Sequence, residues 1–257
     1  IYNGSTPLSS SDLTAVATAV RYLGSREHAL FQDALRAYDE AVVADPGNLE
    51  PRILIGEFFL EKYQGTEADA AMQEVLQLNP NHPRALLGLA RAMLFNNSVG
   101  VAEQVDKALE QNENLVEARV FKAGLLIKLE DHEEARSELQ KALDVNPTSL
   151  EALSALAGSH YLQGETEEYE RIRDQVNELA PTYAEVYNDI ALLSVESRKY
   201  FEATRLAEEA VRIDSLSWRA YGILGVNQLR LGLIDEAKAS LETAFEGDPH
   251  SVWLFNT

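Results

Sequence analysis

The sequence repeats itself about every 34 residues, and this period limits the possible folds more than any other feature of the chain. One position of the repeat is proline in most copies, and successive copies are 34, 33, 34, 34, 34 and 34 residues apart. We number the repeat so that this position is 32, and its seven occupants are Pro46, Pro80, Glu113, Pro147, Pro181, Ser215 and Pro249. A fixed period of this length is the signature of stacked structural repeats, so we predict seven copies of one unit.

Each copy contains two helical patterns. In the seventh copy, apolar residues recur at steps of three and four over residues 217–231 and 234–247, as on one face of an α-helix. Gly164 and Gly232 occupy the same position between the two patterns, where a helix end favours a left-handed residue. Small residues at positions 8, 20 and 27 allow close helix packing, and one unit cannot bury its apolar face alone. The chain is therefore predicted to be all-α, with stacked helix pairs.

The residues at these positions resemble the pattern of the tetratricopeptide repeat family. That pattern has large residues at positions 4 and 24, Leu-Gly at 7 and 8, alanine at 20 and 27, and proline at 32. The seventh copy carries the pattern at Tyr221, Leu224, Gly225, Ala237, Leu241, Ala244 and Pro249. The resemblance covers residues 13–249 and implies a right-handed α-solenoid, or superhelix, of antiparallel helix pairs. The units are predicted at about residues 15–48, 49–82, 83–115, 116–149, 150–183, 184–217 and 218–251. Tyr22 and Tyr169 stand where the family has a small residue, so we expect altered packing there.

Both ends of the chain depart from the repeat pattern. Residues 1–12 have the composition of a linker, with Ser11 or Asp12 as the predicted N-cap of the first helix. Residues 250–257 are predicted to start a further helix or domain that is truncated here. The apolar side chains of that segment include Trp253 and Phe255. Because a solenoid needs a polar cap at each end, we predict that the native chain continues and that this segment can self-associate through its C-terminal end.

The chain is strongly acidic, with 42 acidic against 22 basic residues, a net charge of −20 and a pI of about 4.6. Nucleic acids and anionic membranes attract basic surfaces, so this charge argues against both as partners. No stretch approaches the roughly 20 apolar residues of a membrane helix, so membrane insertion is not expected. We predict a soluble protein; because the chain begins with Ile1 and resembles an excised segment, a cytoplasmic and a periplasmic or exported location both stay open.

No residue pattern points to catalysis. The five histidines lack metal-ligand spacing, and the stretch HEEAR at His132 lacks the second histidine of a zinc-protease motif. The sequence also lacks the nucleophile elbow, the P-loop and the dinucleotide-binding glycine pattern. Neighbouring acids such as Glu133 and Glu134 are expected on helix surfaces of so acidic a chain. We therefore predict no catalytic residue, no metal site, no cofactor and no enzymatic activity.

Partner-binding residues are predicted on the first helix of each repeat, which the family resemblance implies lines the concave face. Positions 2, 5, 9 and 12 are spaced to share one helical face. The predicted binding residues are Glu50, Ile53, Glu57, Arg84, Leu87, Arg91, Glu117, Val120, Glu151, Tyr161, Glu185, Asn188 and Arg219. Within this set, Glu117, Glu151 and Glu185 form an acidic stripe. Arg84 and Arg219 flank the stripe.

This face is predicted to hold a peptide or protein of basic or apolar character, and Gly124 and Gly158 leave room beside the stripe. The alternative is that the charges at position 2 pair between adjacent repeats, as Glu50 and Arg84 can. Co-chaperone repeats that grip a C-terminal carboxylate resemble each other in having lysine at position 5 and asparagine at position 9. This chain has neither, so an anionic peptide tail is not expected on this face.

The leading functional hypothesis is a non-catalytic scaffold that binds a partner. A second hypothesis is a repeat arm of a larger enzyme, of peptidase or glycosyltransferase type, whose catalytic domain follows residue 257. A third is a structural spacer that assembles with itself and binds no ligand. A catalytic motif after residue 257 favours the second hypothesis, and strong self-association without a ligand favours the third.

Overall fold

The computed structural model describes residues 8–24, 30–62, 64–196 and 198–247, and within them it has fourteen helices and no strand. Residues 1–112 and residues 113–257 form two compact units. The helices of the first unit are α1 (Ser10–Gly24), α2 (Leu30–Ala44), α3 (Glu50–Glu61), α4 (Gly65–Leu78), α5 (Pro83–Phe95) and α6 (Val101–Gln111). The helices of the second unit are α7 (Val116–Lys128), α8 (His132–Val145), α9 (Leu150–Leu162), α10 (Thr166–Leu179), α11 (Glu185–Glu196), α12 (Tyr200–Ile213), α13 (Trp218–Arg230) and α14 (Ile234–Gly247).

Consecutive helices form seven packed pairs, one for each predicted repeat. The first unit contains three of these pairs and the second contains four. Within each unit, the first helix of a repeat also packs on the first helix of the next, as α3 does on α5 and α9 on α11. The predicted all-α class of stacked helix pairs is therefore confirmed.

Glycine ends the first helix of two repeats as predicted. Gly164 and Gly232 adopt φ values of +73° and +79°, the left-handed conformation that reverses the chain after a helix. In two other repeats of the second unit the turn uses Glu130 and Arg198, with φ values of 63° and 58°. Such values are uncommon for residues with a Cβ. The same turn geometry is nevertheless retained at these two positions without glycine.

Small residues at the predicted positions are buried where helices cross. At position 20, Ala34, Ala68, Ala135 and Ala203 have no exposed surface. At position 27, Ala41, Val75, Ala108, Ala142, Val176 and Ala210 have none either. Larger side chains at these points would separate the helices, because protein interiors have no spare volume.

The first helix begins earlier than predicted. Helix α1 starts at Ser10, and its cap is Ser9, whose Oγ accepts a hydrogen bond of 3.2 Å from the Asp12 backbone nitrogen. In return, Asp12 Oδ2 accepts one of 3.1 Å from the Ser9 backbone nitrogen. This reciprocal arrangement satisfies two N–H groups at the helix start, with aspartate in the role that glutamate has in a capping box. The predicted linker of residues 1–12 is therefore too long, and the predicted cap at Ser11 or Asp12 is wrong.

At the other end, the predicted start of a further helix at residues 250–257 lies outside the described residues. The same holds for Trp253 and Phe255 on its predicted apolar face.

The junction of the fifth and sixth repeats differs from the others within its unit. Helix α12 packs closely along α13, whereas α10 has no comparable packing along α11. Tyr169 of α10 occupies position 20, where the other repeats carry alanine or valine. Tyr169 and Tyr187 of α11 are buried in the same apolar cluster. We attribute the wider spacing of α10 and α11 to these two rings, which agrees with the packing change expected at Tyr169.

Candidate functional site

In the first unit, three of the predicted site residues form an ion-pair network between α3 and α5. Arg84 Nη1 donates to both carboxylate oxygens of Glu50, at 2.8 and 2.9 Å, and Arg84 Nη2 donates to Glu57 at 2.9 Å. Burial alone would lower the pKa of Arg84, but the two carboxylates hold it above its ordinary value. The alternative pairing of Glu50 with Arg84 is therefore present, and these charges stabilise the contact between repeats.

The second unit repeats the arrangement between α11 and α13. Arg219 donates to Glu185 through Nη1 and to Asp189 through Nη2, the latter at 2.9 Å. Arg219 and Arg84 occupy the same position of their repeats, and both reach back to the glutamate at that position of the preceding repeat. Glu185 is thus an inter-repeat ion-pair partner, and the predicted acidic stripe loses one of its three members.

Three predicted site residues do not face solvent. Ile53 is 0% exposed, Leu87 is 3% exposed and Asn188 is 0% exposed. Ile53 belongs to an apolar cluster with Met72 and Val75, and Asn188 Nδ2 donates to Glu185 at 3.3 Å. The prediction that these three residues contact a partner is corrected, because their side chains are buried within the repeat stack.

Two carboxylates of the predicted stripe remain available. Glu117 on α7 and Glu151 on α9 are exposed, and neither forms an ion pair with a described residue. Helices α7 and α9 pack against each other, so the two lie on adjacent helices. Val120 is half-buried on the same side of α7. A Cβ added at Gly124 meets no atom within 4 Å, so the surface beside the carboxylates is open. We call Glu117 and Glu151 the acidic pair.

The remaining predicted residues have different surroundings. Arg91 is half-buried on α5 in the first unit. Tyr161 lies at the end of α9, where its hydroxyl donates to Glu202 of α12. Its ring meets the ring of Tyr169 edge-on, with centroids 5.1 Å apart. Tyr161 therefore lies among α10 and α12 and is not part of the surface that carries the acidic pair, which corrects its predicted place.

Tyr161 lines a cavity of about 760 Å³ beside the α9–α10 and α11–α12 turns. Burial, together with the nearby Glu202 carboxylate, raises the pKa of the Tyr161 hydroxyl above its ordinary value. The cavity was not predicted. Its one signal in the sequence is tyrosine in place of a small residue at Tyr169, which indicated altered packing without indicating a cavity.

Metal-binding and membrane-spanning features were searched for in the described part of the chain. Among those residues, no group of three or more His, Asp or Glu side chains is placed to hold a metal ion. None of the described helices is both long enough and apolar enough to cross a membrane.

The family model and the curated relative that match this sequence both name the tetratricopeptide repeat. The family model described as Tetratricopeptide repeat matches residues 116–149 and 219–250. The TPR repeat-containing protein YpiA of Bacillus subtilis (strain 168) is 26% identical over 190 residues, which cover 70% of this chain and 43% of that protein. The chain thus spans less than half the length of this relative.

Two similar solved structures support the fold. A tetratricopeptide repeat protein from Parabacteroides merdae has a TM-score of 0.58 at 18% identity, covering 92% of this chain and 93% of its own. The APC/C hetero-tetramer Cut9-Hcn1 has a TM-score of 0.63 at 16% identity, covering 92% of this chain and 46% of that one. At these identities the likeness concerns the fold alone, and it agrees with the predicted α-solenoid class.

Proposed function

The chain is a tetratricopeptide repeat protein, and we propose from this premise that its acidic pair binds a basic or apolar segment of a protein partner. In this role the protein is a non-catalytic scaffold. Stacked repeats present extended surfaces, and proteins with this fold serve mainly in protein–protein interaction. The similar Cut9-Hcn1 structure is itself a hetero-tetramer, which supports a binding role for the fold.

The observation that carries the proposal is the contrast within the predicted stripe. Glu50 and Glu185 are held by arginines of the next repeat, whereas Glu117 and Glu151 form no ion pair with a described residue. Two adjacent carboxylates without a counter-ion attract lysine or arginine, with about 1 kcal/mol per contact at 4 Å in water and more where water is excluded. Gly124 leaves space for the ligand backbone next to them.

The family resemblance identifies the first helices of the repeats with the concave face, and we place the partner there. Exposed charges of this kind affect the choice of partner and the rate of association more than the final affinity. We therefore expect apolar contacts with α7 and α9 to supply much of the binding energy. Val120, half-buried on α7, is one candidate for such a contact.

The test is affinity capture from a lysate of the source organism, comparing the wild type with Glu117→Lys/Glu151→Lys. The matched control is Glu178→Lys/Glu208→Lys, which makes the same charge change at exposed positions on second helices of repeats. A partner retained by the wild type and the control but lost by the first variant supports the proposal. A partner retained equally by all three contradicts it, provided that circular dichroism shows equal helicity.

A further inference from the structure

Four of the fourteen residues that line the cavity at the junction of the fifth and sixth repeats are tyrosines. Tyr161, Tyr169, Tyr187 and Tyr200 all line it. Its volume of about 760 Å³ lies in the range of small-molecule and side-chain binding pockets. Tyrosine walls supply large, rigid apolar area at low entropic cost, which is why tyrosine is enriched at binding sites.

The cavity follows from the size of Tyr169. Its ring lies where the other described repeats of this unit place a small alanine, so α10 does not close onto α11. Arg173, one turn further along α10, lies over the ring of Tyr169, 5.5 Å from its centroid. The Tyr169 ring is thus contacted both by the Tyr161 ring and by the Arg173 guanidinium.

The acidic residues that line the cavity each have a cation nearby. Glu202 accepts a hydrogen bond of 2.6 Å from Arg205, and Arg205 holds the pKa of Glu202 below its ordinary value. Glu209 pairs with Arg212, and Glu170 lies 4.0 Å from Arg173. These carboxylates are therefore compensated within the protein.

Two further cations at the cavity are exposed. Arg198 and Lys199 lie in the α11–α12 turn, and neither has a carboxylate within ion-pair distance among the described side chains, although the charge of Lys199 helps to lower the pKa of Glu202. In a chain of net charge −20, two adjacent exposed cations form an unusual local surface. Phe201, also lining the cavity, is 80% exposed and adds an apolar surface beside them.

We propose that this cavity binds a short acidic segment of a partner protein that carries an aromatic side chain. The aromatic side chain packs against the tyrosine walls and Phe201, and one or two neighbouring carboxylates pair with Arg198 and Lys199. The charge of this ligand is opposite to that of the ligand proposed for the acidic pair. The cavity is therefore a second, separate binding site of the scaffold.

The experiment uses an immobilised library of random eight-residue peptides, probed with the purified 257-residue chain. The test variant is Arg198→Glu/Lys199→Glu. The matched control is Arg36→Glu/Lys238→Glu, which makes the same charge change at two exposed positions in other repeats. Selected peptides are resynthesised with a fluorophore, and their affinities are measured by anisotropy.

The wild type is expected to enrich peptides that combine aspartate or glutamate with phenylalanine, tyrosine or tryptophan. The test variant is expected to bind them about tenfold more weakly or worse, and the control within about twofold of the wild type. Failure to enrich acidic aromatic peptides overturns the proposal, and so does equal binding by the test variant. Basic peptides that are lost only by Glu117→Lys/Glu151→Lys report on the acidic pair, so the two proposals fail separately.

Discussion

At the scale of single residues, two glycines on first helices of the second unit have opposite surroundings. A Cβ added at Gly225 lies 2.6 Å from Leu241 Cγ and 3.1 Å from the Leu241 backbone nitrogen. A Cβ added at Gly124 meets no atom within 4 Å. Position 225 therefore requires glycine for close helix packing, whereas position 124 tolerates a side chain.

Gly225→Ala is expected to lower the free energy of unfolding by about 1–3 kcal/mol, because a branch point and the backbone of Leu241 must move. Gly124→Ala, the matched control, is expected to raise it by up to about 1 kcal/mol, since alanine favours the helix. Urea denaturation followed by circular dichroism measures both variants. Equal effects of the two substitutions contradict this account of the packing.

Residue-scale prediction succeeded for small side chains and was less complete for long charged ones. Alanine and glycine at the crossing positions are recognisable because volume alone decides what fits there. The ion pairs of Arg84 and Arg219 were one of two open alternatives, because a flexible guanidinium selects its partner only once the neighbouring helix is in place. Burial of position 5 also depends on that neighbour, which is why Ile53 and Asn188 were placed on the surface.

At the scale of helices, α7 and α8 are joined by a buried carboxylate. The Glu138 side chain is 5% exposed and accepts hydrogen bonds of 2.6 Å from Arg119 Nη1 and 2.7 Å from Lys141 Nζ. Burial raises the pKa of Glu138, but the two cations outweigh this effect and hold the pKa below its ordinary value. The ionised form of Glu138 is therefore the one that stabilises this helix pair.

Glu138→Gln is expected to lower the free energy of unfolding by about 3 kcal/mol at pH 7, because it leaves the Arg119 charge partly buried without a counter-ion. The stabilisation by Glu138 is complete above the ordinary glutamate pKa of about 4.3 and is lost as the pH falls through the lower folded-state pKa. The stability difference between wild type and variant should therefore shrink from pH 6 to pH 3. A difference that stays constant over this range contradicts the assigned role of Glu138, and urea denaturation at each pH measures it.

Helix bounds and turns followed the sequence closely at this scale. The predicted pattern over residues 217–231 corresponds to α13, and that over 234–247 coincides with α14. Altered packing at Tyr169 was expected, but the cavity beside α10 and α11 was not. Periodicity shows which face of a helix is apolar, but it does not give the distance between two packed helices. That distance depends on how the Tyr169 and Tyr187 rings pack together.

At the scale of the whole molecule, the seven repeats carry two surfaces with exposed charges that form no close ion pair with a described residue. The acidic pair on α7 and α9 was among the residues predicted to bind a partner, although its role stays a proposal. The sequence does not distinguish Arg198 and Lys199 from other cations. The structure does, because the cavity carboxylates Glu202 and Glu209 form their ion pairs with other arginines. Repeat number and fold could be predicted because they recur seven times, whereas a binding site occurs once and has no such redundancy.

The most direct test of the scaffold role places a photoreactive benzoylphenylalanine at position 124, on the open surface beside Glu117 and Glu151. The matched control carries it at position 178, an exposed position on the second helix of the fifth repeat. Irradiation in a lysate of the source organism is expected to cross-link a partner at 124 and not at 178. A partner that cross-links at 178 but not at 124 contradicts binding on the first-helix surface, and cross-linking at neither position contradicts the scaffold role proposed for this surface.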